Sequence, residues 1–92
     1  MPDDTLSKTL EIKNRLGMHA RAAARLVQAV SRYDASITIA KDDQAVDGKS
    51  ILGLMMLAAA QGTSIEVSTR GPQAADALAA IERLIDQKFH ED

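Results

Sequence analysis

The chain contains no cysteine and no tryptophan, and its 92 residues include only one tyrosine and one phenylalanine. Without cysteine it can form neither disulfides nor thiolate metal sites, and small secreted domains of this length commonly depend on disulfides. We therefore expect a cytoplasmic protein. Because aromatic side chains are so few, the sequence predicts a core built from Ala, Leu, Ile, Val and Met.

Long apolar runs are missing as well. No stretch approaches the roughly 18 consecutive apolar residues that a membrane-spanning helix needs, and the acidic start Met1-Pro2-Asp3-Asp4 is unlike a basic signal peptide. The net charge of −2 gives no general electrostatic reason to bind nucleic acid or an anionic membrane. The length suits one compact domain spanning residues 1–92, which we expect to be a soluble monomer.

Seven segments alternate between strand and helix patterns. Period-2 alternation of apolar and polar residues predicts strands at about 5–12, 35–40, 44–47 and 63–69. Apolar residues at helical spacing predict helices at 20–32 and 50–57, and a third helix that opens near Pro72. The predicted order is β-α-β-β-α-β-α. This order favours an α+β fold, an open-faced β-sandwich with helices on one face of a four-stranded antiparallel sheet.

His19 stands where the first helix is predicted to begin, just after Gly17, which is free to make a sharp strand-to-helix turn. The first N–H groups of a helix lack internal partners and the macrodipole is positive there, so this position suits a phosphate. Neutral imidazole is a nucleophile at cellular pH, and Arg21 adds a planar fork of donors for phosphate oxygens. These residues predict a transient phosphohistidine, although a solvent-exposed helix cap explains His19 equally well.

Basic residues are concentrated around this histidine. Residues 8–32 contain six cationic side chains and a single acidic one. Arg21 and Arg25 lie one turn apart on the predicted helix and belong to one basic stripe. Together with Lys49, they are expected to steer acidic partner surfaces toward the site.

Two short motifs now connect the chain with a known family. The segment Gly17-Met18-His19-Ala20-Arg21, the downstream Lys49-Ser50-Ile51 and the predicted element order resemble HPr, the histidine-containing phosphocarrier of the bacterial phosphotransferase system. The similarity covers about residues 6–89. The C-terminal run from Gly71-Pro72-Gln73 to Phe89 is also similar to the nitrogen-branch paralogue of HPr, so both the sugar branch and the nitrogen branch stay open.

The resemblance implies a function and a set of partners. His19 would accept a phosphoryl group on its δ nitrogen from phosphoenolpyruvate-dependent Enzyme I and pass it to IIA-type domains, with Arg21 assisting. Such a protein is a relay in sugar transport or in nitrogen and carbon regulation, not a stand-alone enzyme, and it needs no cofactor or metal. Ser50 matches the regulatory serine that HPr kinase/phosphorylase modifies in some bacteria, and it is also well placed as an ordinary helix N-cap.

The chain departs from the family pattern at Ala22, where HPr proteins usually have proline. Alanine keeps the helix and, unlike proline, supplies an extra backbone N–H.

The second predicted helix indicates where partners bind. The helix at 50–57 is apolar nearly all round, so part of it should be exposed. We expect Met18, Leu52 and Met56 to form an adaptable apolar patch beside His19 for successive partners. The predicted partner-binding residues are Met18, Ala20, Arg25, Lys49, Leu52, Met55 and Met56.

Two other classes of protein share parts of this pattern. RNA-recognition and ferredoxin-like modules have the order β-α-β-β-α-β, but RNA-recognition domains stack bases on strand aromatics. Here Tyr33 and Phe89 lie outside the predicted strands. A metal carrier would need ligands, and His19 and His90 are the only histidines of a chain without cysteine. The tail Glu91-Asp92 beside His90 is expected to be a solvated terminus.

Overall fold

Four strands and three helices occur in the order that the sequence predicts. The computed structural model describes residues 5–91. Most of the observed boundaries differ from the predicted ones by no more than about two residues. The elements are β1 (Leu6–Glu11), α1 (Ala20–Val30), β2 (Ser36–Lys41), β3 (Gln44–Asp47), α2 (Ile51–Met56), β4 (Ser64–Arg70) and α3 (Ala74–Asp86), followed by a 3₁₀ turn at Lys88–His90.

The sheet is antiparallel throughout, with the spatial order β1-β4-β2-β3. Leu6 lies opposite Thr69 at one end of the β1–β4 pair, and Ile39 of β2 lies between Val67 of β4 and Val46 of β3. Alternate side chains along much of β2 and β4 are buried, and those between them are exposed or partly so. The sheet therefore has one covered face and one open face, which confirms the predicted open-faced sandwich.

Each of the longer helices buries one apolar face against the covered side of the sheet. α3 begins later than predicted: Gln73 is its N-cap, and the chain makes a turn in which Ala74 N donates to the Gly71 carbonyl at 3.1 Å. Pro72 therefore precedes the helix and does not open it. Within residues 5–91, no helix is long and apolar enough to cross a membrane.

The core is mostly aliphatic, as predicted, but its largest fully buried side chain is Phe89. The expectation of a core without aromatic residues is wrong at this position. The 3₁₀ turn after α3 folds back and contacts α1, so a residue close to the C-terminus reaches the interior. Burying a phenylalanine side chain stabilises a fold by about 1.5–3 kcal/mol, and this burial is one of the contacts that hold the last segment against the domain.

The loop between β1 and α1 packs tightly on the segment that follows α2. Gly17 has φ of 69°, and a Cβ atom at this position would lie 2.4 Å from the carbonyl oxygen of Ala59. The same oxygen accepts a hydrogen bond from Met18 N at 2.8 Å. A side chain at Gly17 would therefore be both strained and in collision with a backbone atom, which explains why glycine stands here.

Gly17→Ala is expected to lower the free energy of unfolding by about 1–3 kcal/mol more than Gly62→Ala does, because overpacking adds to the backbone strain. Gly62 is the matched control, since its φ of 88° imposes a similar strain while a Cβ atom added there would have no neighbour within 4 Å. Urea unfolding of the two variants and the wild type measures the difference. Equal losses would show that the approach of Gly17 to Ala59 does not restrict the loop.

Candidate functional site

His19 is the N-cap of α1. Its backbone is extended, with φ of −80° and ψ of 178°, and its Nδ1 accepts a hydrogen bond from Arg21 N at 3.2 Å. Its carbonyl accepts the first helical bond, from Ala23 N at 2.9 Å. The imidazole thus stands over the free N–H groups of the first turn, where a helix favours an anion. The side chain is 24% exposed, so the ring is accessible from one side.

Met18 precedes His19 but does not share its exposure. Only 4% of Met18 is exposed, and its side chain belongs to the hydrophobic core. The prediction that Met18 contributes to an exposed apolar patch is therefore wrong. The turn at Gly17 directs Met18 inward, and Leu16 on the other side of Gly17 is 65% exposed.

A carboxylate from the far end of the chain occupies the other side of the imidazole. The Glu91 carboxylate oxygens lie 2.9 and 3.1 Å from His19 Nε2, and the Glu91 side chain is only 15% exposed. The expectation of a solvated terminus is wrong for Glu91. Asp92 lies outside the described residues.

Asn14 connects this carboxylate to the loop that carries His19. Its side chain is fully buried, and its Nδ2 donates to Glu91 Oε1 and to the carbonyl oxygen of Gly17, both at 2.7 Å. Both partners are acceptors, which fixes the orientation of the amide. The Asn14 oxygen has no hydrogen-bond partner among residues 5–91. Leaving a buried acceptor unpaired costs about 1–3 kcal/mol. The two hydrogen bonds that Asn14 Nδ2 donates must offset this cost for the side chain to keep this orientation.

The partners of the two ring nitrogens determine the tautomer of neutral His19. An ionised carboxylate only accepts hydrogen bonds, so Nε2 facing Glu91 must carry the proton. The backbone N–H of Arg21 only donates, so Nδ1 must present its lone pair. The ring nitrogen with the available lone pair is therefore Nδ1, at the helix terminus, and this is the atom that the family resemblance implies as the phosphoryl acceptor.

Glu91 is held in its ionised form. The hydrogen bond from Asn14 is the largest cause that lowers the pKa of the Glu91 carboxyl, and the hydrogen bond and charge of His19 and the charge of Arg21 act in the same direction. Burial raises this pKa and offsets part of the effect. The carboxylate at Nε2 is thus negative at neutral pH, as the tautomer requires.

The predicted arginines have different surroundings. Arg21 is exposed and, with Arg15, Leu16 and Glu91, lines a small cavity of about 150 Å³ next to the histidine. Arg25 is half-buried, and its Nη1 donates to the carbonyl oxygen of Phe89. The Arg21 side chain is therefore accessible to a ligand in this cavity, whereas Arg25 holds the C-terminal turn in place.

α2 exposes most of its apolar side chains. Leu54 is fully buried, but its neighbours on the other faces are largely accessible. This confirms the expected exposure of Leu52 and Met56. Met55 and, at the start of α1, Ala20 are exposed as well. We define the α2 patch as Ile51 (42% exposed), Leu52 (69%), Met55 (42%) and Met56 (65%). Leu16, in the loop before α1, is 65% exposed and was not predicted as an exposed apolar residue.

Ser50 is the N-cap of α2, and its Oγ accepts a hydrogen bond from Gly53 N at 3.0 Å. The predicted capping role is confirmed. The neighbouring Lys49 is exposed, and its Nζ lies 3.3 Å from the Tyr33 carbonyl oxygen. In the described part of the chain, no three His, Asp or Glu side chains are arranged to hold a metal ion.

The sequence matches a family model and is similar to phosphocarrier proteins of several bacteria. A family model described as "PTS HPr component phosphorylation site" matches residues 6–87. The chain is 47% identical over 85 residues to phosphocarrier protein HPr of Treponema pallidum, covering 92% of this chain and 97% of that protein. It is also 42% identical over 89 residues to phosphocarrier protein NPr of Klebsiella oxytoca, covering 96% and 99%.

The fold is also similar to that of a solved HPr structure. A crystal structure of HPr-C-His from Thermoanaerobacter tengcongensis superposes with a TM-score of 0.90 at 40% sequence identity. The match covers 95% of this chain and 98% of that chain. An RNA-recognition or ferredoxin-like module, the alternative with a similar element order, is not supported.

Proposed function

Because the chain belongs to the HPr family and is a phosphocarrier of the phosphotransferase system, we propose that His19 is the residue that carries the phosphoryl group. The observation that supports this most strongly is the ring geometry. Nδ1 presents its lone pair at the N-terminus of α1, and Nε2 is engaged on the opposite side of the ring by Glu91. A phosphorus atom approaching Nδ1 meets the positive end of a helix.

The first turn of α1 and Arg21 would then hold the phosphate oxygens. Nδ1 now accepts the Arg21 N–H, and this donor would move to a phosphate oxygen as the N–P bond forms. The guanidinium of Arg21, exposed at the cavity edge, supplies two further parallel donors. Ala22, where the family usually has proline, retains its N–H and adds one donor to the same turn.

Membership of the family implies partners within the phosphotransferase system, such as Enzyme I and IIA-type domains. We propose that these partners bind in turn over His19 and the α2 patch. Leucine and methionine side chains form an adaptable apolar surface, and Arg21 and Lys49 beside it favour acidic partner surfaces. The protein itself needs no catalytic machinery beyond positioning, since the partners supply the donor and the acceptor.

We also propose that Ser50 is a regulatory phosphorylation site for an HPr kinase/phosphorylase. The residue matches the family's regulatory serine and is partly accessible. Its hydroxyl now caps α2 by accepting from Gly53 N. A phosphate would replace this cap with a dianion next to the α2 patch, which would disfavour an acidic partner.

His19→Ala is expected to abolish labelling when the protein is incubated with phosphoenolpyruvate, Mg²⁺ and a cognate Enzyme I. The wild type should acquire one phosphate that is labile in acid and stable in base. His90→Ala is the matched control, because it removes the other histidine and should be labelled as fully as the wild type. Labelling that persists in His19→Ala would overturn the assignment.

Arg21→Ala is expected to slow phosphoryl transfer by roughly ten- to a hundredfold, since a charge-assisted hydrogen bond is worth roughly 1.5–3 kcal/mol. The side chain is exposed, so the thermal unfolding midpoint should hardly change. Arg32→Ala removes an exposed cation beyond the end of α1 and controls for net charge. Rapid-quench measurement of the labelling rate separates the variants, and equal rates for Arg21→Ala and Arg32→Ala would contradict phosphate positioning by Arg21.

Leu52→Glu is expected to raise the KM of Enzyme I for this protein about tenfold, which corresponds to roughly 1.4 kcal/mol of binding energy. Leu52 is 69% exposed, so the substitution should leave the fold intact. Leu6→Glu is the control, because Leu6 is also exposed but lies at the end of β1 far from the His19 loop. A similar KM for both variants would show that partners do not bind on the α2 patch.

A further inference from the structure

The C-terminal segment reaches His19 through an unusual backbone. Lys88, Phe89 and His90 have φ values of 54°, 56° and 61°, three successive non-glycine residues in the left-handed region. Each such residue costs about 1–2 kcal/mol. Strain of this kind persists only where the surroundings determine it, and it occurs preferentially at functional sites.

Several contacts hold this turn. The Phe89 side chain is fully buried, and the Phe89 carbonyl accepts from Arg25 of α1. Within the turn, His90 N donates to the Gln87 carbonyl and Glu91 N to the Lys88 carbonyl, both at 3.0 Å. The reversed turn brings the next residue, Glu91, back over the start of α1. Its carboxylate then receives the Asn14 amide and the His19 ring together.

We propose that Glu91 is a positioning residue for phosphoryl transfer: its carboxylate keeps the His19 proton on Nε2 and stabilises the positive charge of the phosphorylated ring. This inference rests on the proposed function, in which Nδ1 of His19 is the acceptor. Glu91 acts through the ring and faces the nitrogen that does not react, so it leaves the phosphoryl position free.

The chemistry balances without any exchange of protons with water. The Nδ1 lone pair forms the bond to phosphorus while the bond from phosphorus to the donor's leaving atom breaks, and that electron pair departs with the donor. The His19 ring becomes a phosphoimidazolium whose proton remains on Nε2, 2.9 Å from a Glu91 oxygen. A carboxylate at this distance stabilises the new positive charge, as the aspartate of a Ser-His-Asp triad does for its histidine.

The reverse step benefits from the same contact. When an acceptor protein attacks phosphorus, the N–P bond breaks and its electron pair returns to Nδ1. A protonated ring is the better leaving group, so a carboxylate that keeps the proton on Nε2 makes the phosphoryl group easier to transfer. The neutral Nε2–H tautomer is regenerated directly and is ready for the next cycle.

Glu91→Gln tests the inference, because the substitution removes the charge and replaces one of the two oxygens near His19 Nε2 with an NH₂ group, which cannot accept a hydrogen bond from the ring. If its oxygen continues to accept from Asn14, its NH₂ group faces His19 Nε2 and favours the opposite tautomer. Glu66→Gln is the matched control, since Glu66 is exposed on the open face of the sheet and the charge change is identical. Circular dichroism checks that both variants are folded.

Three measurements on the intact chain distinguish positioning from a structural role. In ¹⁵N NMR spectra at alkaline pH, Glu91→Gln should lose the dominance of the Nε2–H form of His19. Its labelling by phosphoenolpyruvate and Enzyme I should become about tenfold slower, because a charge-assisted hydrogen bond is lost. Its phosphohistidine should nevertheless hydrolyse more slowly than that of the wild type, whereas mere loosening of the site would speed hydrolysis.

Glu91→Ala, which removes the hydrogen bond as well as the charge, should change the labelling and hydrolysis rates in the same directions. The inference is overturned if Glu91→Gln matches Glu66→Gln in ring spectrum, labelling rate and phosphohistidine lifetime. This result differs from a failure of the proposed function, which would appear as undiminished labelling of His19→Ala.

Discussion

The close approach of the Gly17–Met18 backbone to the Ala59 carbonyl is the constraint on which the site depends. It fixes the N-terminus of α1 relative to the segment that follows α2. His19 is thereby held at the positive end of α1, on a rigid loop, close to the helix that carries the exposed α2 patch. A carrier that reacts with several proteins needs this combination, because the reactive atom and the docking surface must keep one relative position in every complex.

The two ring nitrogens of His19 face groups of opposite charge, partly positive N–H groups at Nδ1 and a carboxylate at Nε2. On the Nδ1 side are the free N–H groups of the first turn of α1, that of Arg21 among them, which favour an anion. On the Nε2 side is the Glu91 carboxylate, which favours a positive ring. Phosphorylation of His19, as proposed, would add negative charge on the first side and positive charge to the ring itself. Each side would then gain a favourable interaction, and neither would have to rearrange.

Much of this could be predicted from the sequence because the signals are local. The element order follows from apolar periodicity, and the helix cap from the spacing of Gly17 and His19. The prediction for Met18 was wrong because the positive φ at Gly17 reverses the chain, and only packing decides which apolar neighbour of this turn enters the core. Asn14 and Glu91 could not be predicted, since they lie 77 residues apart and meet only through the fold.

The C-terminal turn that carries Glu91 has only a small net stability. Three left-handed residues cost together about 3–6 kcal/mol. Burial of Phe89 returns about 1.5–3 kcal/mol, and the hydrogen bonds of the turn contribute about 1 kcal/mol each. The terms nearly cancel, so this segment is much less stable than the sheet and helices behind it. The position of Glu91 therefore depends on its own hydrogen bonds to Asn14 and His19 as much as on the turn that carries it.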